Sequence, residues 1–478
     1  MNETGDYETL FYPAENDWAG ALIFAHETAA DAWRSVLGEL YQFNFKEIRT
    51  DILGGIFQRL IAPEERHKFG QHYTNEDLVD VVNAFCIRKA EDVVFDPACG
   101  SGSFLVRAYH RKAHLDPSRL HQDRIAEIYG ADISLFAAHL ATLNLASRDI
   151  NEEENYPRIA RRNFFEIRAG EKFWQLPGGL RGERTIEPIF LPKLNAVVGN
   201  PPYVRQELIP RRTDKPRPGP MQAKEDLFEL CKALWQVELT GRSDLHCYFW
   251  PAAAAFLKEK GWFGFLVSSS WLDVEYGFAL QAWVLTHFKI QAILESSAEP
   301  WFADARVKTC AVILQRCDDP KEREEQLVKF VRLDAPLAEI LGWRPDENAR
   351  QTAADKFRNL ISRCQRDTVR AQFRIVVVPQ KKLWEDGLRA GKLFQLQKQR
   401  DLAEGIVNQP GEEEDAENGT VYDEQGNGFL HDGGGLGHSA NYGGGKWGKY
   451  LRAPGLYFQI MERYASRFVP LGEIAERL

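Results

Sequence analysis

Apolar positions along the chain follow several rhythms. In residues 1–68, "AADAWRSVLGELYQFNF" and "IRTDILGGIFQRLI" space apolar residues at three and four. This predicts amphipathic helices that pack as an N-terminal helical region. From 69 to 318 the period shortens. The β-rich runs "EDVVFD", "EIYGADI", "NAVVGN", "WFGFLVS", "IQAILES" and "TCAVILQ" alternate with "SFLVRAYHRKAH", "LFAAHLATLNLAS" and "FWPAAAAFLKEK". Strands alternating with helices predict an α/β fold with a parallel, doubly wound, Rossmann-like sheet. In such sheets ligands sit beyond the carboxyl ends of the strands.

Beyond 318 the rhythm is weaker. Residues 319–410 read as a mixed α/β extension, with a helix at "ADKFRNLISRCQR" and a strand at "FRIVVV". Residues 411–448 contain "GEEEDAENG" and "HDGGGLGHSANYGGGKWG", a composition that buries no core and predicts a flexible linker. Its glycines do not form a phosphate cradle, because no strand leads in and no GK[ST] follows. Residues 449–478 predict a helix and then an apolar approach to a further element.

Composition narrows the setting. The 478 residues, 44% hydrophobic and 27% charged, suffice for two or three domains. A net charge of -9 does not advertise nucleic acid, although only the local patch meets phosphate. The seven cysteines are scattered and form no CxxC pair, which predicts reduced thiols with neither a disulfide framework nor a zinc site. "MNETGDYETLFYPAEND" lacks a secretory pattern, and no apolar run reaches the roughly 18 residues of a membrane span. A soluble cytoplasmic protein without membrane contact is expected.

Two stretches carry candidate chemistry. "EDVVFDPACGSGSFLVRAYHR" ends a strand at Asp96 and passes through a glycine-bearing loop, Pro97–Gly102, into a helix near Ser103. Small residues let a ligand approach the backbone, and the helix start offers unpaired N–H groups. The loop is not GxGxxG and has no GK[ST], which disfavours nicotinamide dinucleotides and nucleoside triphosphates. The run "EIYGADI" ends at Asp132, an acid placed to accept from ribose hydroxyls or to cap the helix after Ser134. Upstream, Thr74 and Asp77 are spaced as a capping box. Tyr73 and Thr74, at that helix start, can hold a carboxylate. Ribose, adenine, amino group and carboxylate together describe S-adenosylmethionine. The second stretch, "VVGNPPYVRQ", ends a strand in Asn200, Pro201, Pro202 and Tyr203. The prolines forbid ladder pairing and stiffen the bend. By itself this favours a turn over a site.

In order, "GQHYTNEDLVDVV", "FDPACGSGSFL", "ADIS" and "NPPY" resemble the gamma-order adenine-N6 DNA methyltransferases. These include type I modification subunits and the fused type IIG and phage-defence methylases. The resemblance spans roughly residues 45–318, and more faintly the stretch from Trp447. It implies that Tyr73 and Thr74 hold the methionine end of the cofactor. Asp96, Ala98, Gly100 and Gly102 wrap it, and Asp132 takes the ribose. In "RNFFEI", Asn163 stands where an aspartate is usual and meets the adenine with Phe164. Phe302 supplies a second aromatic against the target base, with Trp301 as rival. Asp244 and Leu245 back the cofactor pocket.

The same resemblance gives Asn200 and Pro201 a role. Their carbonyl oxygens accept from the exocyclic N6 amine, orienting its lone pair toward the sulfonium methyl, with no metal. Tyr203 stacks on a base flipped out of double-stranded DNA, worth about 1–3 kcal/mol. From Val204 to Lys224, six basic residues face two acids, a net +4. Beside such a site Arg205, Arg211, Arg212, Lys215 and Arg217 become candidates for DNA-backbone contact. Alternatives are methylation of protein glutamine or RNA guanine, and a non-catalytic scaffold subunit. Relatives continue into a target-recognition domain where this sequence stops. The expectation is therefore a separate specificity chain or restriction or defence subunits, and weak methylation by the chain alone.

Overall fold

The computed structural model describes residues 26–40, 75–149, 152, 155–176, 187–212, 222–301, 308–403, 442–464 and 467–469. Of the N-terminal helical region this includes one helix, Glu27–Leu40; "IRTDILGGIFQRLI" lies outside the described residues. The strands are β1 (Val94–Asp96), β2 (Ile128–Asp132), β3 (Arg158–Arg161), β4 (Lys172–Leu176), β5 (Glu187–Phe190), β6 (Leu194–Gly199), β7 (Leu257–Ser268), β8 (Phe288–Ser296), β9 (Thr309–Arg316), β10 (Leu327–Leu333), β11 (Thr368–Val369) and β12 (Phe373–Pro379). Ten of them form one sheet in the order β11-β12-β10-β8-β9-β7-β6-β1-β2-β3, and β4 pairs with β5 apart.

The heart of the sheet is parallel, as the alternation predicts: β1 pairs with β2 and β6, β2 with β3, and β6 with β7. One strand departs from the parallel expectation. β9 runs antiparallel to both β7 and β8. The link 297–308 is at the lower limit of about a dozen residues for a parallel crossover, whereas an antiparallel return needs far less chain. The sheet also continues past 318. β10 pairs parallel with β8, and β12 antiparallel with β10, so the strands between 327 and 379 widen this sheet rather than stand beside it.

Side chains alternate into two core layers. On β7, Phe263, Phe265 and Val267 join one layer and Leu266 the other; on β9, Cys310, Val312 and Leu314 oppose Ala311 and Ile313. One layer is covered by α1 (Glu76–Cys86), α2 (Ser103–Leu115), α3 (Leu135–Ala146) and α7 (Glu347–Arg363). The other is aromatic-rich and lies under α4 (Lys224–Trp235), α5 (Leu245–Ala254), α6 (Phe278–His287) and the start of α8 (Gln380–Ala403). The helix expected through "FLKEK" ends earlier, at Ala254, and β7 takes over from Leu257.

Of the linker expected over 411–448, residues 411–441 lie outside the described residues, and the rest is not a linker. Residues 442–448 are docked on the core, leading into α9 (Gly448–Arg452). Trp447 is 1% exposed and packs edge-on against Trp271 at 5.5 Å. Gln281 exchanges two hydrogen bonds with the Gly445 backbone, at 3.0 and 2.8 Å. Arg452 forks Glu295 at 2.9 and 2.7 Å and reaches Asp273 at 2.5 Å. The glycines here serve close approach. A Cβ on Gly444 would lie 2.0 Å from the Phe278 ring, and its φ of +79° favours glycine as well.

Two measurements follow. Trp447→Ala empties a fully packed site and should lower unfolding free energy by about 3–5 kcal/mol in a urea titration. On the opposite face, burial would raise the Glu347 carboxyl, but the Arg107 guanidinium outweighs it and holds it at about 2. That value lies below the ordinary 4.5, so this stabilisation is present above pH 4.5 and is lost as pH falls toward 2. Glu347→Gln should flatten this acid limb in unfolding curves taken across the same window.

Candidate functional site

Strand order reverses between β1 and β6. From β1 the chain winds outward to β2 and β3, then returns to β6 on the far side of β1. Loops leaving the two strands diverge there and open a crevice at the carboxyl ends. Both stretches singled out in the sequence leave at this point. Val94 pairs with Ala196 and Phe95 with Val197, so Asp96 and Gly199 end neighbouring strands. A Cβ built on Gly199 would sit 2.6 Å from Asp96 Oδ1, so glycine makes room for the carboxylate.

The loop after β1 is held by backbone geometry and two acids. Asp96 Oδ1 accepts from Ala98 N–H at 3.0 Å. Gly100 and Gly102 have φ of +54° and +87°, the left-handed region that glycine enters without strain. A Cβ on Gly100 would meet open space, whereas one on Gly102 would lie 3.1 Å from Ala141 of α3. Asp132 Oδ2 accepts from Gly100 N–H at 2.9 Å and its Oδ1 from Ser134 N–H at 2.8 Å. Ser134 Oγ makes the capping bond to Ala137 N–H, so Asp132 instead ties the two loops together. Burial pushes the Asp96 carboxyl up to about 8, with Asp132 adding to the rise and the Ala98 N–H opposing it. Burial raises Asp132 as well, against the N–H groups of Ser134 and Gly100.

Other expected residues are placed as follows. Asn75, not Thr74, caps α1: its Oδ1 accepts from Asp77 N–H at 2.9 Å and Leu78 N–H at 3.3 Å. An asparagine one position on serves the same orphan donors. Asn163 caps the turn at Phe164–Glu166, its Oδ1 accepting from Phe165 N–H at 3.2 Å. Phe164 is buried and stacks on Phe249 at 5.2 Å. Asn200 is half-buried and Pro201 buried. Tyr203 presents a half-buried ring, met edge-on by His246 at 6.1 Å. His246 is fully buried, and burial pushes its imidazole down to about 3. Nothing in the sequence marks this histidine as the support of Tyr203.

Asp244 and Leu245 fasten the chain after Tyr203 rather than forming a wall by themselves. Leu245 N–H donates to Val204 O at 2.9 Å, and Gln206 N–H to Asp244 Oδ1 at 3.0 Å. Arg205 and Arg211 are exposed. The exposed guanidinium of Arg212 is instead engaged by Asp226 at 2.6 Å and Glu229 at 2.8 Å, an alternative the sequence-level charge count does not anticipate. Trp301 is buried in the core layer of α1 and α2. Tyr73, Thr74, Lys215, Arg217 and Phe302 lie outside the described residues. Among the described residues no cluster of three His, Cys, Asp or Glu could hold a metal, and no helix is long and apolar enough to cross a membrane.

The crevice yields two expectations. Gly199→Ala forces a methyl group against the Asp96 carboxyl and should cost about 1–3 kcal/mol of stability in chemical unfolding. Folded Asp96 keeps its proton up to about pH 8, whereas the unfolded chain releases it near 3.8. The folded state therefore binds more protons between these values, and stability falls as pH rises through that window. Asp96→Asn should remove this slope, as read from unfolding midpoints across it.

Residues 126–302 match the Eco57I restriction-modification methylase family. DNA methyltransferase A of Bacillus subtilis is 29% identical over 156 residues, 24% of this chain and 17% of that protein. The type II restriction enzyme and methyltransferase RM.Eco57I of Escherichia coli is 22% identical over 333 residues, 59% of this chain and 31% of its own length. The chain thus spans about a sixth to a third of these relatives. The solved type I restriction-modification methyltransferase subunit from Streptococcus thermophilus aligns with 72% of this chain and 63% of its own at 16% identity and a TM-score of 0.45. The matched stretch runs from β2 through the Asn200–Tyr203 loop and on past β8, so this part of the chain is what resembles the Eco57I restriction-modification methylases.

Proposed function

We propose that the chain transfers a methyl group from S-adenosylmethionine to the N6 amine of an adenine flipped out of DNA, within a restriction-modification or phage-defence system. The observation that carries this is the junction of the Asp96–Gly102 loop and the Asn200–Tyr203 loop on neighbouring strand ends. The names of its relatives, DNA methyltransferase and restriction enzyme and methyltransferase, favour DNA over protein or RNA as substrate.

The residues present fit the cofactor. Gly100, with open space at its Cα and a left-handed backbone, admits a ligand close to the loop. A carboxylate has about four lone-pair sites. Asp132 has two of them in its bonds to Gly100 and Ser134, and retains capacity for ribose hydroxyls. Tyr73 and Thr74 would hold the methionine end, and Asn163 and Phe164 the adenine. The bound cofactor supplies an electrophilic methyl group. Asn200 Oδ1 and the Pro201 carbonyl accept from the target amine, turning its lone pair away from the ring and toward the crevice. Tyr203, braced by His246, offers the stacking face. Arg205 and Arg211 are exposed to meet phosphates, and Arg212 joins them by exchanging Asp226 and Glu229 for the DNA backbone. A specificity chain or further subunits would choose the sequence.

The test uses the protein with any recognition subunit supplied. Asn200→Ala should bind S-adenosylmethionine within about twofold of wild type by calorimetry. Its tritiated methyl transfer to mixed-sequence DNA should fall by roughly 10²–10³. Nucleoside mass spectrometry should find N6-methyladenine. Label in cytosine, RNA or protein, or an equal loss of cofactor binding in Asn200→Ala, would overturn the assignment.

A further inference from the structure

The turn from Asn200 to Tyr203 leaves β6 between two neighbouring strand ends. On one side β1 ends in Asp96 and the glycine-bearing loop. On the other side lies β7, which pairs with β6 as far as Gly199 and Phe265 and then runs on to Ser268. In the antiparallel register Ser268 stands opposite Thr309 of β9. Side chains of such a pair share one face of the sheet. Here it is the face of Leu266, Ala311 and Ile313, the core layer against which Tyr203 packs. Burial pushes the Tyr203 phenol up, Cys310 adds to the rise, and a side-chain hydrogen bond with Thr309 opposes it. Ser268 is therefore one cross-strand step from the ring proposed to receive the base.

Ser268 also belongs to a string of three hydroxyls. Its Oγ lies 2.7 Å from Ser270 Oγ, and Ser270 Oγ is bonded to the Tyr276 hydroxyl. Ser268 Oγ accepts in addition from Ser270 N–H at 3.4 Å, capping the short turn Ser269–Leu272. A Cβ on Gly277 would lie 2.1 Å from Trp271 O, so the turn bearing Tyr276 is pressed against the turn bearing Ser270. A phenol is a stronger acid than an alkyl hydroxyl, and so the better donor, which runs the string from Tyr276 to Ser270 to Ser268. Ser268 Oγ then accepts twice, from the Ser270 O–H and N–H, and both lone pairs of the hydroxyl are filled. What it retains is its own O–H, which has no partner among the described residues. Capping uses only the lone pairs and leaves this proton unassigned. Ser268 is 7% exposed, and an enclosed donor without an acceptor is costly.

We infer that Ser268 is a specificity-determining residue for the target base: its hydroxyl donates to a ring nitrogen of the adenine stacked on Tyr203, either N1 or N7, the two that flank the N6 amine. Ser270 and Tyr276 are positioning residues that turn this donor outward. The inference rests on the proposed adenine reading and deepens it. The cofactor then meets the β1 side of the Asn200 turn, and the base is read from the β7 side.

The test crosses base analogues with variants, in the full chain with any recognition subunit supplied. Mixed-sequence duplexes carry adenine, 1-deazaadenine, 7-deazaadenine or 3-deazaadenine; each analogue keeps the amine and replaces one ring nitrogen by C–H. For the wild type, kcat/KM of tritiated methyl transfer should fall roughly five- to tenfold on either the 1-deaza or the 7-deaza duplex, the worth of one hydrogen bond. Ser268→Ala should lose a similar factor on adenine and lose no more on that analogue, while responding to the other two as the wild type does. Ser268→Thr keeps the hydroxyl and should recover most of the loss. Tyr276→Phe keeps the ring but frees the string to reverse, and should show the same pattern more weakly. Every variant should bind S-adenosylmethionine within about twofold of wild type by calorimetry. Where thermal melting shows that Ser268→Ala does not fold, Tyr276→Phe carries the same comparison. The inference is overturned by the absence of a penalty on both the 1-deaza and the 7-deaza duplex in the wild type, by a penalty that survives in Ser268→Ala, or by variants that weaken transfer to all four duplexes alike. Absence of methyl transfer from the wild type to any adenine would instead overturn the proposed function, and this inference with it.

Discussion

The parallel pairing of β1 with β6 is the constraint on which the site depends. It sets a strand ending in an acid beside a strand ending in glycine, at the one place where the winding of the sheet reverses. Neither loop makes a crevice alone. Once the register Phe95–Val197 is fixed, the carboxyl of Asp96 must occupy the space that a side chain at 199 would take. The glycine loop, the second acid on β2 and the stiff Asn-Pro-Pro-Tyr turn are then brought to one end of the sheet.

Much of this was legible in the sequence because it depends on local chemistry. A strand that runs into Pro-Ala-Cys-Gly-Ser-Gly and then a helix needs left-handed glycines, and Gly100 and Gly102 supply them. Two prolines after Gly199 end the ladder whatever surrounds them. The apolar runs that became β6 to β9 are buried on both faces, which leaves a strong signal. What was not legible depends on long-range packing. The antiparallel direction of β9 lies in its pairing with β7 and β8, and no residue within the strand signals it. Asn75 displaced Thr74 as cap because two adjacent polar residues can serve the same donors. The triple-glycine stretch near Tyr442 has the composition of a linker, and only the approach of Phe278 and Gly387 turns it into tight packing. His246 shows no periodicity or motif that would tie it to Tyr203.

Charge behaves differently on the two faces of the molecule. Between α1, α2 and α7 a run of buried carboxylates and guanidiniums is shared so that no member depends on a single partner, as Asp80 shows with Arg107, Arg350 and Gln351. Such a network contributes modest net stability for the desolvation it requires, but it fixes orientation, since displacing any one member would strand a buried charge. Near α4 the pairs of Arg212 are exposed, weak and exchangeable. Rigid pairing thus lies beside the helix that leads from the Pro97–Gly102 loop, and exchangeable pairing beside the segment that follows Tyr203.

The docking of Trp447 bears on how the protein is made. The aromatic layer holds Trp250 and Trp271 in contact at 5.0 Å, and Trp447 closes it from a position far beyond the last strand of the sheet. During synthesis, the stretch from Trp271 to Trp447 takes on the order of 9–35 s to emerge at about 5–20 residues per second. For that time the Trp271 face stays uncovered, an apolar surface on a nascent chain. Until the final tryptophan docks, that surface is open to non-native apolar contacts, the exposure from which incompletely folded chains aggregate.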